Sequence, residues 1–184
     1  MLKIFTTQLQ GLFTKIHDKE LLSIEDGARL LAQAAIGEGI IYIHGFAEME
    51  AVTLEATIGQ EPMISAARLI DDTKQMAEVS PVDRVLLVTR FSTDEDAIEL
   101  AQTLTTKGIE VVAISALVPN SEGPSLDKIV DIYIDSKLGK PLIPDDDGNR
   151  FGFPSIITAL YAYYGLAFSI KEMVEEYLEE EEEE

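Results

Sequence analysis

Residues 83–115 read DRVLLVTRFSTDEDAIELAQTLTTKGIEVVAIS. An apolar run (Val85 to Val88), a short polar turn, an amphipathic segment from about Thr93 to Lys107 and a β-branched run (Val111 to Ile114) follow one another directly. This is the order of strand, loop, helix and parallel strand, because parallel neighbours need a crossover that returns the chain to the same edge. Ala97, Ile98, Ala101 and Leu104 share one helical face, and Gly108 stands where that helix should end. The turn from Thr89 to Asp96 therefore falls at the carboxyl edge of a sheet, where open α/β folds bind ligands.

Toward the N-terminus the pattern repeats. Residues 39–44 (GIIYIH) read as a buried strand, Gly45 to Ala47 as a tight turn, and Glu48 to Ile58 as a helix. Met63 to Ser65 has the character of a short strand, and Asp72 to Ala77 has helical composition. Ahead of these, Leu2, Phe5, Leu9, Leu12, Phe13 and Ile16 make the apolar stripe of a helix over residues 1–19. His17 sits near the end of that helix, where a cation favours the helix dipole. A second helix is expected from Ser23, an N-cap residue with Asp26 three positions later, ending at Gly37 and Gly39.

Toward the C-terminus, Ile129 to Ile134 predicts a further strand, Lys137 to Pro154 an irregular stretch rich in Gly, Pro and Asp, and Ser155 to Leu178 a long closing helix. Strands apolar on both faces that alternate with helices imply a three-layer, doubly wound α/β fold, with a mostly parallel sheet flanked by helices. Residues 1–178 form one domain in this reading, and 179–184 a frayed acidic tail.

The 184 residues contain no cysteine, which removes disulfides, thiolate metal sites and a cysteine nucleophile. The N-terminus lacks the features of a secretory signal and no apolar run approaches the roughly 20 residues that span a bilayer, so a cytoplasmic location is expected. The net charge is −20, and without the eight acids of the terminal EEYLEEEEEE it is still −12. Such a surface repels nucleic acid and anionic membranes, and neither is expected as a partner.

Two N-terminal helices, IIYIHGFAEMEAV, the 83–115 unit, KIVDIYID and the closing helix together resemble the sugar isomerase (SIS) domain family, nearest to its phosphoheptose isomerase branch. The resemblance covers nearly the whole chain and implies a SIS-like, flavodoxin-like arrangement without a nucleotide or other cofactor. It also implies a phosphosugar ligand and assembly as a homodimer or homotetramer. In that family the turn after the second strand holds a phosphate through hydroxyls and backbone N–H groups, which places the site on Thr89, Ser92 and Thr93. Phe91 stands near the place of the family's glycine. The family's catalytic glutamate falls near Glu55, but the closing helix has Ala159, Tyr161 and Leu166 where the branch has a glutamate and histidines, so the acid–base set is incomplete. The resemblance leaves three readings: a phosphosugar-binding protein, an aldose–ketose isomerase using Glu55 with His44 or a neighbouring subunit's His17, and a site-degenerate structural or regulatory oligomer.

The same turn also reads without a ligand, since Ser92-Thr93-Asp94-Glu95 has the form of a capping box. A phosphate about 4 Å from one of its carboxylates meets roughly 4 kcal/mol of repulsion at an effective dielectric of about 20, which Arg90 or Arg150 must offset. His44 at a strand end, with Glu48 and Glu50 beyond it, offers at most two metal ligands locally, because residues two apart on a helix diverge; the other reading is a polar loop, and no metal is expected. Residues 144–149 (PDDDGN) resemble part of a calcium loop but lack its closing glutamate, and read as an acidic turn. Tyr161, Tyr163 and Tyr164 read as lining a sugar pocket or as core and subunit contacts.

Overall fold

The computed structural model describes residues 1–183; Glu184, the last residue of the acidic tail, lies outside the described residues. The chain opens with α1 (Leu2–Ile36), one unbroken 35-residue helix where the sequence suggests two. The buried stripe runs straight through the break expected before Ser23, with Ile16, Glu20, Ile24, Ala28 and Leu31 all on it. Glu20 is admitted because Lys137 donates to its Oε1 and the Asp135 N–H to its Oε2 at 3.1 Å. Ser23 is consequently a helix-interior residue and no N-cap.

Next come β1 (Ile41–Gly45), a 3-10 turn (Ala47–Met49), α2 (Glu50–Ile58) and β2 (Ala66–Arg68). The strand β2 lies three residues beyond the expected Met63 to Ser65. Residues 72–77 form no helix, because Asp71 Oδ1 accepts from the N–H groups of Thr73 and Gln75 and from the Thr73 hydroxyl. That local capture offers the backbone a turn in place of a helix. The deciding stretch folds as β3 (Arg84–Phe91), α3 (Glu95–Thr106) and β4 (Glu110–Ala116). A 3-10 turn (Leu126–Lys128) precedes β5 (Ile132–Asp135). The irregular loop holds a small antiparallel hairpin, β6 (Ile143–Pro144) and β7 (Arg150–Phe151). The closing helix α4 (Ser155–Glu183) runs past the expected end at Leu178.

The main sheet has the order β2-β1-β3-β4-β5 with every pairing parallel. Chain order reverses between β1 and β3, and this switch point opens a crevice at the carboxyl edge. Ile43, Leu86, Val88, Val112, Ile114 and Ile134 face a layer containing α1, α2 and α4, whereas Val85, Leu87, Val111 and Ala113 face α3 and the segments around Leu69 and Leu126. These side chains are fully or almost fully buried, and each such Val, Leu or Ile contributes roughly 1.5–3 kcal/mol over exposure. The three-layer architecture thus follows from strands that are apolar on both faces. No helix among the described residues is long and apolar enough to cross a membrane.

Candidate functional site at the switch point

Two strand ends build the site. On β1, Gly45 stands where the chain folds tightly back: a Cβ there would lie 2.0 Å from the Met49 carbonyl oxygen. The Gly45 N–H donates to the buried Thr53 Oγ1 at 2.8 Å, which fixes α2 against the strand. Ala47 follows in the left-handed region (φ 50°), and the 3-10 turn presents Glu48. On β3 the pairing with β4 loses register between Val88 and Phe91. An irregularity of this kind re-aims side chains at a strand end; here it accompanies the turning of Thr89 and Arg90 into the crevice.

The crevice encloses about 390 Å³ and is lined by Phe46, Ala47, Glu48, Thr89, Arg90, Asp94, Glu95 and Asp96. Arg90 spans it with a two-point pair, donating from Nε to Glu48 Oε1 at 2.7 Å and from Nη2 to Glu48 Oε2 at 2.5 Å. Ser155, the first residue of α4, donates its hydroxyl to Glu48 Oε1 at 3.0 Å. These donors, the Arg90 hydrogen bond first, hold the Glu48 carboxyl down at about 2 against the opposing effect of burial. Opposite, Asp94 Oδ2 accepts from Thr89 Oγ1 at 2.5 Å and from the Phe91 N–H at 3.0 Å. Phe91 also meets Phe153 with ring centroids 5.6 Å apart, tying the approach to α4 onto the turn.

The capping box does not form: the N-cap of α3 is Asp94, whose side chain is spent on β3. Ser92 points inward and is fully buried. Its Oγ accepts from the Val118 N–H at 3.1 Å and lies 2.9 Å from the Ser125 hydroxyl. Thr93 lines a separate shallow cleft beside α3 with Glu99 and Gln102.

Of the expected site residues, Glu48, Thr89 and Arg90 come together. His44 precedes the turn but belongs to another cluster, edge-on to Phe46 and near Glu50 and Arg68; burial is the main cause holding its imidazole below the usual range. Glu55 lies on α2, where its Oε1 accepts from the Tyr164 hydroxyl at 2.7 Å. Arg150 donates to the carbonyls of Pro141 and Leu142 within the hairpin loop. Tyr161 stacks on Phe13 with centroids 4.5 Å apart, and Tyr163 is buried in the core. Among the described residues no group of three or more His, Asp or Glu side chains is placed to hold a metal ion.

Two members of the site are not evident from sequence. Asp94 is one of three consecutive N-cap candidates, and nothing local says which of Ser92, Thr93 and Asp94 turns outward. Ser155 is legible as a helix start after Pro154, but its partner Glu48 is 107 residues away.

The family model described as Domain of unknown function (DUF2529) matches residues 1–174. The uncharacterized protein YwjG of Bacillus subtilis (strain 168) is 47% identical over 177 residues, covering 96% of this chain and 99% of its own. Among solved structures, the sugar isomerase domain of the RpiR transcription factor from Sphaerobacter thermophilus aligns with a TM-score of 0.55 at 14% identity, covering 100% of this chain and 98% of that one. A putative phosphosugar isomerase from Silicibacter pomeroyi DSS-3 aligns with a TM-score of 0.51 at 14% identity, over 87% of this chain and 45% of that one. At such identities the likeness concerns the fold, which is that of SIS-domain proteins.

Proposed function

The chain belongs to the DUF2529 family, and we propose that it binds a phosphosugar or a related phosphorylated metabolite at the β1/β3 switch point without isomerising it. The observation that carries this reading is Arg90, a guanidinium held across the crevice in the two-point geometry with which arginine also grips phosphate. Glu48 occupies the place of such an anion, so a ligand enters by exchange with that carboxylate. The first N–H groups of α3 supply further donors. The shared fold adds support, since one neighbour is a sugar isomerase domain and another is described as a putative phosphosugar isomerase.

Binding is favoured over catalysis because the crevice offers no base suited to neutral pH. Glu48 is too acidic, Glu55 is engaged with Tyr164, and His44 faces the Arg68 side. The protein would then be closest in kind to the phosphoheptose isomerase branch while lacking its acid–base pair, and would assemble as a homodimer or homotetramer. The occupancy of Arg90 by Glu48 also favours a second reading, a regulatory or structural oligomer whose crevice is closed by its own carboxylate.

A thermal-shift screen with a panel of sugar phosphates at millimolar concentration separates the two. Stabilisation by at least one compound, lost in Arg90→Met, is the expected result. No stabilisation by any of them overturns phosphosugar binding and leaves the closed-crevice reading standing.

A further inference from the structure

A second cleft, of about 510 Å³, opens between the N-terminal half of α1 and the loop leaving β5. Lys15 of α1, Lys137 and Lys140 of the loop, and Arg150 of β7 all line it. Four of the chain's 14 lysines and arginines therefore meet at one cleft, in a chain of net charge −20. Its lining contains no carboxylate. The switch-point crevice, by contrast, carries Glu48, Asp94, Glu95 and Asp96; the cleft beside α3 carries Glu95 and Glu99; and the groove along α4 carries Glu61 and Glu175.

The four cations play different parts. Lys137 is an anchor, its ammonium bound by Glu20 and, at 3.1 Å, by Asp135, neither of which lines the cleft. Arg150 commits Nε to the Pro141 carbonyl at 2.7 Å and Nη2 to the Leu142 carbonyl at 2.6 Å. Those bonds fix the guanidinium while leaving its charge without a carboxylate partner among the described residues. Lys15 and Lys140 are exposed and likewise unpaired with any acid there. The acids at the hairpin tip serve the turn itself, Asp145 Oδ1 accepting from the N–H groups of Asp147 and Asn149.

Space is provided as well as charge. Gly11 lies within α1 on the cleft wall, and a Cβ added there would meet nothing within 4 Å. Leu12, Leu138 and Leu142 supply an apolar, buried floor.

We propose that this cleft binds an organic diphosphate, a ligand with two linked phosphoryl groups, separately from the switch-point crevice. Lys15, Lys140 and the remaining N–H donors of Arg150 grip the phosphoryl groups, and the leucine floor receives the organic part. An anion repelled by the rest of the surface finds an attractive field at this cleft.

The test is calorimetric titration of the full chain with pyrophosphate and with ADP, on the wild type, the Lys15→Gln/Lys140→Gln double variant and Arg90→Met. Both lysines are exposed, so the double variant should keep its fold, checked by circular dichroism. The expected result is saturable binding by the wild type, weakened at least tenfold in the double variant and unchanged in Arg90→Met. Absence of binding to both probes, equal affinity in the double variant, or loss of binding in Arg90→Met each overturns the proposal. Because sugar-phosphate binding at the switch point depends on Arg90 and this site does not, the two failures are distinguishable.

Discussion

Arg90 and Glu48, 42 residues apart, meet in a two-point pair that bridges β3 and the turn after β1. With Ser155 donating to the same carboxylate, the pair joins three segments at the carboxyl edge of the sheet. Its pH dependence has a definite sign. A carboxyl held at about 2 when folded, against an ordinary 4.5, stabilises the fold above pH 4.5 and loses that contribution as pH falls through about 2. Glu48→Gln should lower stability at pH 7 by about 1–2 kcal/mol, a figure reduced from the full pKa shift because both partners are partly exposed to solvent. Denaturant titrations of both proteins should show the gap narrowing below pH 4.5 and closing near pH 2. A gap constant with pH would remove the ion pair as its cause.

Ser92 separates a structural from a ligand-binding hydroxyl. Ser92→Ala leaves the Val118 N–H without its acceptor and should lower stability by about 1–3 kcal/mol. The response to sugar phosphates, measured by thermal shift relative to the variant's own baseline, should be unchanged. A selective loss of that response would return Ser92 to the ligand.

Glu55 and Tyr164 form an exposed pair, and the hydrogen bond to Glu55 is the main cause raising the phenol above its usual range. In Glu55→Gln the NMR titration of Tyr164 should move back down. Assays for aldose–ketose interconversion should show no turnover in either protein. Turnover that disappears with Glu55 would restore the isomerase reading.

Gly11 sits in a helix interior with open space above it. Gly11→Ala should therefore raise stability by about 0.5–1 kcal/mol, the ordinary difference in helix propensity. Thermal denaturation showing a loss would mean that the wall of the α1 cleft is packed more tightly than its geometry indicates.

Periodicity exposed the sheet and its three layers, because Val85 to Val88 and Val111 to Ile114 are too uniformly apolar to have a solvent face. It failed where a polar residue is buried through a distant partner. The burial of Glu20 within one continuous α1 rests on Lys137, 117 positions away, whereas Ser23 reads locally as the start of a second helix. The site was legible as a turn but not in its wiring. Ser92, Thr93 and Asp94 have similar local chemistry, and only the positions of Val118, Ser125 and the β3 irregularity decide that Ser92 turns in and Asp94 reaches back to Thr89. Arg150 was legible as an anion-seeking cation. The hairpin that carries it to the α1 cleft was not, being only two residues per strand.

The packing of α1 against α4 bears on how the polypeptide acquires its structure during synthesis. Ile16, Ile24 and Leu31 share a core cluster with Leu166, Ile170 and Val174, so two helices far apart in the sequence complete each other, and α1 is synthesised well before α4. Until Val174 emerges, the apolar stripe of α1 lacks one of its covers, and the sheet face beneath both helices stays incompletely roofed. Contacts of such long sequence separation slow folding and prolong exposure of sticky surface. The core of this domain therefore closes only once α4 is available, and a truncation before Leu166 should leave the apolar stripe of α1 exposed and the product prone to aggregate.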